Sequence, residues 1–325
     1  MTLEPGAGGR LAGDGAGLPV ELPPAAVRSG VIRGVILRER QAVVGLVILG
    51  LFAAIALLAP LIAPDGPHAQ VGRPYAGPSG SHWLGLDDGG IDMLTLVMYG
   101  ARISLLVGFA ASLVAMLIGG GVGILSGYFG GKVDVVLMRI TDYFLVIPDI
   151  PLMIVVAAIF GRNLLNIIII IGVIYWTSTA RLIRAQVKSV RERTYVKRAQ
   201  ALGASHTRLM RKHVLPQIVP LLIANTVLTI ATAIFAETYI SFLGLGDPSS
   251  ISWGRLIQNS LVGGAIFHDA WWAIIPPGLC VTLLILACTI MGQSIEDALN
   301  PRLKVGHLAV RRFRLRPLQG RLEAD

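Results

Sequence analysis

Long apolar runs, separated by short polar segments, dominate this sequence. The first run, residues 41–64, contains 24 uncharged residues and follows the charged triplet Arg38, Glu39 and Arg40. A helix needs about 20 apolar residues to cross a bilayer, whereas the apolar core of a signal peptide has only about 7–15. Five further runs approach or exceed the spanning length, and they cover residues 103–131, 133–160, 164–180, 214–236 and 270–295. The pattern therefore predicts an all-α fold, a polytopic membrane protein with six transmembrane helices.

The third run differs from the others because it contains charged residues and prolines. These residues are Asp134, Arg139, Asp142, Pro148, Asp149 and Pro151. Proline lacks a backbone donor and breaks helices, so we predict a span that is interrupted in its middle. Charges inside a bilayer are costly and usually face a cavity or a partner. Because Arg139 and Asp142 lie three residues apart on one helical face, we expect them to pair with each other, and the alternative is that they face a cavity.

Composition supports the membrane assignment. Apolar residues make up 54% of the chain and charged residues 14%, with a mean hydropathy of +0.69. A soluble domain carries about 25% charged residues, and disorder requires low hydrophobicity, so both classes are excluded. Cys280 and Cys288 lie about 12 Å apart along a helix, too far to form a disulfide. Trp253, Trp271 and Trp272 suit the aromatic belt at a membrane interface.

The charge of the chain is unevenly distributed. It has 28 basic and 19 acidic residues, a formal charge of +9 and a pI near 10.0. In a soluble protein this surplus would suggest nucleic acid binding. However, 23 of the 28 basic residues lie in the two tails and in the connections that follow the second and fourth spans, ten of them from Arg181 to Lys212. Because cytoplasmic loops concentrate Lys and Arg, both termini are predicted to be cytoplasmic, and no nucleic acid partner is needed.

The chain divides into an apolar domain and two polar tails. Residues 1–40 are rich in Gly, Pro and Ala and are predicted to form a disordered cytoplasmic tail. Residues 41–300 form the six-span domain, and residues 301–325 form a basic cytoplasmic tail. The main connections are an inner loop at residues 181–213 and outer loops at residues 65–100 and 244–270.

Motifs for catalysis are missing from the sequence. The one Gly-Lys pair, Gly131–Lys132, is followed by Val133, so no nucleotide-binding P-loop is present. The glycines at 119–123 lie inside an apolar run, where small residues let helices approach closely. The histidines do not occur at ligand spacing, and they are His68, His82, His206, His213, His268 and His307. We therefore expect neither an enzyme nor a metal site.

The inner loop carries the most informative local pattern. Helix-forming charged residues are followed by Gly203, which suits a left-handed helix end, and by Ser205, which suits a helix start. The pattern predicts a short helix, a tight turn and a second helix that leads into the fifth span. Such a structure would suit the docking of a soluble partner, and the alternative is a solvated loop with no further role.

This loop resembles the EAA loop of permease subunits of bacterial ABC importers. In that pattern Glu-Ala-Ala is followed after three residues by Gly, and after nine more by a hydrophobic-x-Leu-Pro motif. The matching positions are Ala199, Gly203, Leu215 and Pro216. Lys197 and Arg198 depart from the pattern, because Glu and Ala are usual there.

A closer resemblance is to the C-type permeases of the dipeptide, oligopeptide and nickel group. Their signatures are similar to HWLGLD at 82–87, YGARISL at 99–105, GYFGG at 127–131, ALGAS at 201–205, SFLGLG at 241–246 and DALNPR at 297–302. These motifs occur in order, and the matching region covers about residues 30–303.

The resemblance implies a type I ABC importer permease fold in the bacterial inner membrane. It implies a second homologous permease, an extracytoplasmic substrate-binding protein, and two ATPase subunits that bind ATP and Mg, with no cofactor on this chain. The implied ATPase-coupling residues are Lys197, Arg198, Ala199, Ala201, Leu202, Gly203, Ala204 and Pro216. Because Lys197 replaces an anion, we expect an acidic contact on the ATPase.

Candidate residues of the translocation pathway are Arg139, Asp142 and Glu237. Glu237 lies near the outer end of the fifth span. It either faces the cavity and meets a peptide amino group, or it caps a turn before residues 241–246.

The predicted function is that of a permease subunit which, with a second permease, forms the pathway for peptides or a related small solute. An ion-coupled secondary transporter that acts without an ATPase is the alternative, although few acids and no clear internal repeat occur in the spans. A membrane scaffold would leave the inner loop and the ordered motifs unexplained.

Overall fold

The computed structural model describes residues 39–64 and 66–299. The predicted N-terminal tail up to residue 38, Asp65 and the predicted C-terminal tail at 301–325 lie outside the described residues. Within the described ranges the chain is helical, and extended pairing is limited to two isolated bridges, Gln70 with Ile91 and Leu86 with Asp92. The predicted all-α fold class is confirmed.

Ten α-helices follow one another along the described chain. They are α1 (Arg40–Ile62), α2 (Met93–Phe129), α3 (Gly131–Val146), α4 (Asp149–Phe160), α5 (Leu164–Arg191), α6 (Thr194–Ala201), α7 (His206–Leu209), α8 (Leu215–Phe242), α9 (Trp253–Val262) and α10 (Ile275–Leu299). A π-helical turn, Met210–Val214, joins α7 to α8, so His206–Phe242 forms one helical segment of 37 residues. Two 3₁₀ turns, Ala265–His268 and Trp271–Ala273, precede α10.

Five helical segments of the described chain are long and apolar enough to cross a membrane. They contain α1, α2, α5, the α7–α8 segment and α10. Helices α3 and α4 meet at an angle of 88°, and they add a sixth span if the bent pair counts as one. The bend lies at Ile147 and Pro148, between the two helices, because proline cannot continue the hydrogen bonding of α3. The predicted interruption of the third span is confirmed.

Two helices extend beyond the apolar runs that predicted them. Helix α2 begins at Met93, and its start is capped by Asp92, whose Oδ2 accepts hydrogen bonds from Thr95 N at 2.9 Å and Thr95 Oγ1 at 3.0 Å. Helix α2 therefore begins inside the region that was predicted as the outer loop at residues 65–100. Helix α5 continues to Arg191 because Lys and Arg are good helix formers. Much of the predicted inner loop at 181–213 is consequently helical.

Helices α2 and α5 pack closely along a row of glycines on α2. A Cβ atom at Gly119 would lie 2.3 Å from Trp176 O, and one at Gly123 would lie 2.6 Å from Ala180 O. Gly127 continues the row one turn later, where a Cβ would lie 2.7 Å from Val187 Cβ. These glycines are spaced by four residues and so share one helical face. The predicted role in helix packing is confirmed for Gly119 and Gly123.

Trp253 lies in the core of the described chain, not at a membrane interface. It is fully buried, its Nε1 donates to Val97 O at 2.9 Å, and its ring meets Phe52 edge-to-face at 5.4 Å. Trp272 is half-buried and donates from Nε1 to Leu86 O at 3.1 Å. The aromatic-belt prediction is therefore wrong for Trp253, because α9 folds back and inserts this side chain between α1 and α2. Trp271 remains exposed.

Candidate functional site

The segment between α5 and α8, residues 192–214, forms a tight helical turn that we call the α5–α8 connection. Helix α6 ends in a Schellman motif, in which Gly203 N donates to Gln200 O at 3.0 Å and Ala204 N donates to Ala199 O at 3.1 Å. Gly203 has φ of +83°, a conformation that favours glycine. Ser205 Oγ then accepts from Arg208 N at 3.4 Å and caps α7. The predicted helix, turn and second helix are confirmed.

The structure brings most of the predicted coupling residues together on this turn. The exposed members are Lys197, Arg198, Ala201, Leu202 and Gly203, and the half-buried ones are Ala199 and Ala204. Leu202 is the most exposed of the large apolar side chains on the turn, with 88% of its surface exposed. Pro216 lies apart from them, half-buried in the first turn of α8. Exposed basic and apolar side chains thus lie close together on this turn.

An apolar cluster holds the α5–α8 connection against the helix bundle. Val196 of α6 and Leu209 of α7 are both buried. They belong to a cluster that also contains Tyr128, Ile183, Val187, Val190, Val214, Ile218 and Leu221. The cluster draws on α2, α5 and α8, so the connection cannot move independently of these three helices.

Polar contacts strengthen the same attachment. The Tyr128 hydroxyl on α2 lies 3.0 Å from Nδ1 of His206 at the start of α7. Arg193 Nη1 donates to Gln217 Oε1 at 2.9 Å, which ties the start of α6 to α8. Each of these contacts joins residues that are at least 24 positions apart in the sequence.

Lys197 has a partner within the chain. Its Nζ lies 2.6 Å from Glu192 Oε2, and both side chains are largely exposed. The hydrogen bond and the charge of Lys197 lower the pKa of the Glu192 carboxyl from its ordinary value. The sequence comparison with the EAA pattern did not anticipate this intrachain pair.

A second charged cluster, around Asp134, joins α2, α3 and α5 near the α5–α8 connection. Asp134 is 8% exposed and accepts from Arg184 Nε at 2.5 Å, from Arg184 Nη2 at 2.7 Å and from Ser126 Oγ. Lys188 Nζ lies 3.3 Å from the same carboxylate. Sequence analysis missed this cluster, because its basic partners lie 50 and 54 residues from Asp134 and no local spacing relates them.

The predicted pairing of Arg139 with Asp142 is wrong. Asp142 Oδ1 instead accepts from Arg181 Nη2 on α5 at 2.6 Å, and Arg139 is exposed. Helix α5 passes alongside α3 and offers a guanidinium that reaches Asp142 across the helix interface. The basic partner of Asp142 therefore comes from α5 and not from α3, the helix that carries Asp142 itself.

A cavity of about 450 Å³ lies at the break between α3 and α4. Its walls come from the α3–α4 junction, α5 and α8, and they are formed by Phe144, Leu145, Ile147, Pro148, Asp149, Ile174, Tyr175, Thr177, Ser178, Asn225, Leu228, Thr229 and Thr232. Asp149 is the one charged residue among them. None of the predicted pathway residues Arg139, Asp142 and Glu237 lines this cavity, and Asp149, which sequence analysis noted only as a charge, does.

Glu237 is buried inside the chain near the end of α8. Only 2% of its surface is exposed, and its Oε1 accepts from Ser241 Oγ at 2.7 Å. Its Oε2 has no hydrogen-bond partner among the described residues. Its bond to Ser241 lies within α8, and Glu237 is not among the residues that line the cavity.

No group of three or more His, Cys, Asp or Glu side chains that could hold a metal occurs in the described ranges. Cys280 and Cys288 are both free thiols. The described residues thus form a bundle of long apolar helices, with an exposed turn between α5 and α8 and a partly polar cavity at the α3–α4 break. Comparison with known proteins identifies the family.

Two family models match separate parts of the chain. Residues 119–305 match the binding-protein-dependent transport system inner membrane component, and residues 34–78 match the N-terminal transmembrane domain of oligopeptide transport permease C. The first match covers more than half of the 325 residues. The chain belongs to this family of ABC transporter permeases.

Individual relatives support the same assignment over most of their length. The dipeptide transport system permease protein DppC of Alkalihalophilus pseudofirmus is 35% identical over 269 residues, which cover 82% of this chain and 88% of the relative. The oligopeptide permease OppC of Bacillus subtilis is also 35% identical, over 82% of this chain and 87% of its own. The glutathione permease GsiD of Pectobacterium atrosepticum is 33% identical over 82% and 89%.

One solved structure also resembles the chain. It is a crystal structure of an amino acid ABC transporter with histidines, at 14% identity and a TM-score of 0.45, and the match covers 64% of this chain and 93% of that one.

Family membership decides between the functions weighed above. The chain is a permease component of an ABC transporter and not an ion-coupled secondary transporter.

Proposed function

We propose that this chain is one of two permease subunits of a bacterial importer for peptides. A second, homologous permease completes the translocation pathway, and an extracytoplasmic binding protein delivers the solute. Two separate ATPase subunits bind ATP and Mg and dock on the α5–α8 connection. The peptide class is supported by the names of the relatives, which are permease proteins of dipeptide, oligopeptide and glutathione transport systems.

The exposure of Leu202 is the observation that carries this proposal. An apolar side chain that is 88% exposed stands at the tip of a turn that is itself anchored to three helices. Burial of this side chain in a cleft on an ATPase subunit would be favourable, because it removes apolar surface from water. Because the turn is rigid, a displacement of the docked ATPase would move α2, α5 and α8 as well.

The proposed orientation places the α5–α8 connection in the cytoplasm. Ten basic residues lie between Arg181 and Lys212, and the structure groups Arg184 and Lys188 with Asp134 at this end of the bundle. Under the positive-inside rule this is the cytoplasmic end, and both termini lie on the same side. The ATPases can reach it only from there, so the orientation and the docking proposal support each other.

The pair of Lys197 and Glu192 changes what we expect of the ATPase contact. Lys197 is already neutralised by Glu192 at 2.6 Å, so an acidic residue on the ATPase would meet an ion pair and not an isolated cation. We propose that Lys197 both holds Glu192 and faces the ATPase. Lys197→Glu would place two carboxylates side by side and should weaken ATPase association; wild-type association and transport would contradict this role.

Purification of the tagged full chain from its native membrane tests the proposal. We expect a second permease and an ATPase pair to co-purify, and uptake by the reconstituted complex to require ATP. Leu202→Asp should remove the ATPase subunits from the purified complex and lower uptake by at least about tenfold, because a charge in an apolar contact costs several kcal/mol. Leu202→Met should retain both.

The matched control is an exposed apolar residue at the other end of the bundle. Val262 at the end of α9 is 78% exposed, and α9 follows the end of α8 that is opposite the connection, with α8 itself about 42 Å long. Val262→Asp should leave ATPase co-purification unchanged. Full recovery of the ATPase with Leu202→Asp, or uptake that needs no ATP, would overturn the proposal.

A further inference from the structure

The cavity at the α3–α4 break is open at the surface of the described chain, and the proposed function does not yet explain its chemistry. Seven of its thirteen lining residues are polar or ionisable, and they are Asp149, Tyr175, Thr177, Ser178, Asn225, Thr229 and Thr232. A volume of about 450 Å³ lies within the range of about 300–1,000 Å³ that is typical of small-molecule sites. Polar side chains at membrane depth are costly unless they serve a partner or a solute.

The hydroxyl groups of the wall present acceptors to the cavity. Thr177 donates to Ile174 O at 3.3 Å and Ser178 donates to Tyr175 O at 3.1 Å, both within α5. On α8, Thr229 Oγ1 donates to Asn225 O at 2.9 Å, and Thr232 Oγ1 donates to Thr229 O at 2.9 Å. A hydroxyl has a single proton and two lone pairs. With the protons directed to helix carbonyls, these oxygens remain available as acceptors.

The backbone at the break adds further acceptors. The last four carbonyl groups of a helix have no donor within that helix, and α3 ends at Val146. Pro148 and Pro151 follow and contribute no N–H. Phe144 and Leu145, whose carbonyls belong to this last turn, line the cavity. The wall is therefore rich in acceptors on both its backbone and its side chains.

Asp149 gives this wall a net negative charge. It is the first residue of α4, and its Oδ1 accepts from Ile150 N at 2.9 Å. Within the described ranges no Lys, Arg or His forms an ion pair with it, and no basic residue lines the cavity. Asp142, the acid that precedes it on α3, is already paired with Arg181 at 2.6 Å.

We propose that this cavity is a solute subsite of the translocation pathway, in which the Asp149 carboxylate pairs with a primary ammonium group of the transported solute. The surrounding hydroxyl and carbonyl oxygens accept its remaining N–H groups. The inference rests on the proposed function, since it assigns the solute a contact on this permease. An ammonium group brings three donors and a positive charge, which is the complement of an acceptor-rich wall with one anion.

Asp149→Asn separates the role of the charge from that of the hydrogen bond with Ile150 N. The Asn side chain keeps the oxygen that accepts from Ile150 N, and it has no charge. In the complete reconstituted importer, with binding protein at saturating concentration, we measure the maximal uptake rate of a labelled dipeptide with a free amino terminus. Asp149→Asn should lower this rate by about tenfold, the effect of losing one charge-assisted hydrogen bond.

Two further variants complete the uptake experiment. Asp149→Glu keeps the charge and should retain most of the uptake rate. Asp297→Asn removes an exposed carboxylate near the end of α10 and serves as the matched control, with uptake unchanged. Wild-type uptake by Asp149→Asn would show that the charge of this residue is not needed for transport and would overturn the subsite.

Thiol chemistry measures the charge of the cavity without relying on transport. Thr232 lines the cavity and is exposed, so Thr232→Cys is introduced after Cys280 and Cys288 have been replaced by Ala. A cationic and an anionic methanethiosulfonate of similar size are compared. We expect the cationic reagent to react faster, and Asp149→Asn to reduce the ratio of the two rates by at least about fivefold.

The outcomes distinguish this inference from the proposed function. A rate ratio that does not change with Asp149→Asn, or no reaction of Thr232→Cys with either reagent, would overturn the subsite while ATP-dependent uptake still held. Uptake by the unsubstituted complex without ATP would overturn the importer itself. Reduced uptake together with a reduced rate ratio supports both.

Discussion

Arg184 holds Asp134 with two parallel hydrogen bonds, from Nε to Oδ1 at 2.5 Å and from Nη2 to Oδ2 at 2.7 Å. The pair joins α5 to α3, and Ser126 Oγ adds a bond from α2. Such a bidentate geometry uses the planar fork of arginine, which lysine does not have. The three helices are thus fixed to one another at the end of the bundle that carries the α5–α8 connection.

Asp134→Ala should destabilise the protein strongly. It leaves Arg184 without its carboxylate, and removing one partner of a buried pair costs about 3–5 kcal/mol. Because the Arg184 side chain is 31% exposed, we expect the lower end of that range, about 3 kcal/mol. Thermal unfolding of the detergent-solubilised complex measures the change.

The exposed pair of Asp142 and Arg181 provides the control. Both side chains are about half exposed, and Asp142→Ala should cost less than about 1 kcal/mol. Equal effects of the two alanine substitutions would show that burial does not determine the strength of these pairs.

Gly123→Ala should disrupt the packing of α2 on α5. The added Cβ would lie 2.6 Å from Ala180 O, a backbone atom that cannot move aside, and overpacking of this kind costs about 1–3 kcal/mol. The yield of folded complex and its unfolding temperature report the effect. At Gly121 a Cβ would have no such neighbour within 4 Å, so Gly121→Ala should fold normally. The hypothesis fails if the two substitutions behave alike.

Trp253→Ala should lower stability by about 3–5 kcal/mol, the usual cost of truncating a buried aromatic side chain. The substitution removes the contact with Phe52 and the hydrogen bond to Val97 O at 2.9 Å. Trp271 is 55% exposed, and Trp271→Ala should change the unfolding free energy by less than about 0.5 kcal/mol. Chemical denaturation of both variants tests this contrast, and a larger loss for Trp271 would contradict the assignment of Trp253 to the core.

Asp87→Asn should stabilise the segment at 66–92 at neutral pH. Burial, together with the charge of Asp88, raises the pKa of the Asp87 carboxyl above its ordinary value, although the N–H groups of Ile91 and Gly89 oppose the shift. Folding therefore favours the protonated acid, and this stabilisation is lost as the pH rises through the raised pKa. Asn keeps the acceptor that binds Ile91 N at 2.7 Å and Gly89 N at 2.9 Å.

Limited proteolysis of this segment at acidic and neutral pH measures the effect. The segment of the wild type should be cleaved faster at neutral pH than at acidic pH. Asp87→Asn should show a smaller difference between the two pH values. A pH dependence that is the same in both proteins would mean that Asp87 is not the group responsible.

Local patterns in the sequence were sufficient to predict the helices and the tight turn. The length of each apolar run predicted a span, and Gly203 and Ser205 marked the end of one helix and the start of the next. These signals act over a few residues, because capping and helix propensity depend on the nearest backbone groups. The packing role was interpreted correctly for Gly119 and Gly123 but not for Gly121, which has no neighbour within 4 Å of a Cβ.

Contacts between distant segments were not predictable from such patterns. Arg139 was the nearest base to Asp142 in sequence, but Arg181 on α5 is its partner. The sequence predicted an interfacial position for Trp253, but α9 inserts this side chain into the core. Likewise Asp149 reaches the cavity only because α3 and α4 meet at 88°. Each case depends on helix packing, which sequence spacing does not encode.

Helix α5 runs without interruption from the wall of the cavity to the start of the α5–α8 connection. Ser178 and Arg191 are 13 residues apart on it, about 20 Å along the axis. In the proposed importer, this helix would connect the solute subsite with the ATPase contact. A rotation of only about 5° around its far end displaces the cavity wall by about 2 Å over this length, more than half the length of a hydrogen bond. Small angular changes at the docking turn are sufficient to make or break contacts with a bound solute.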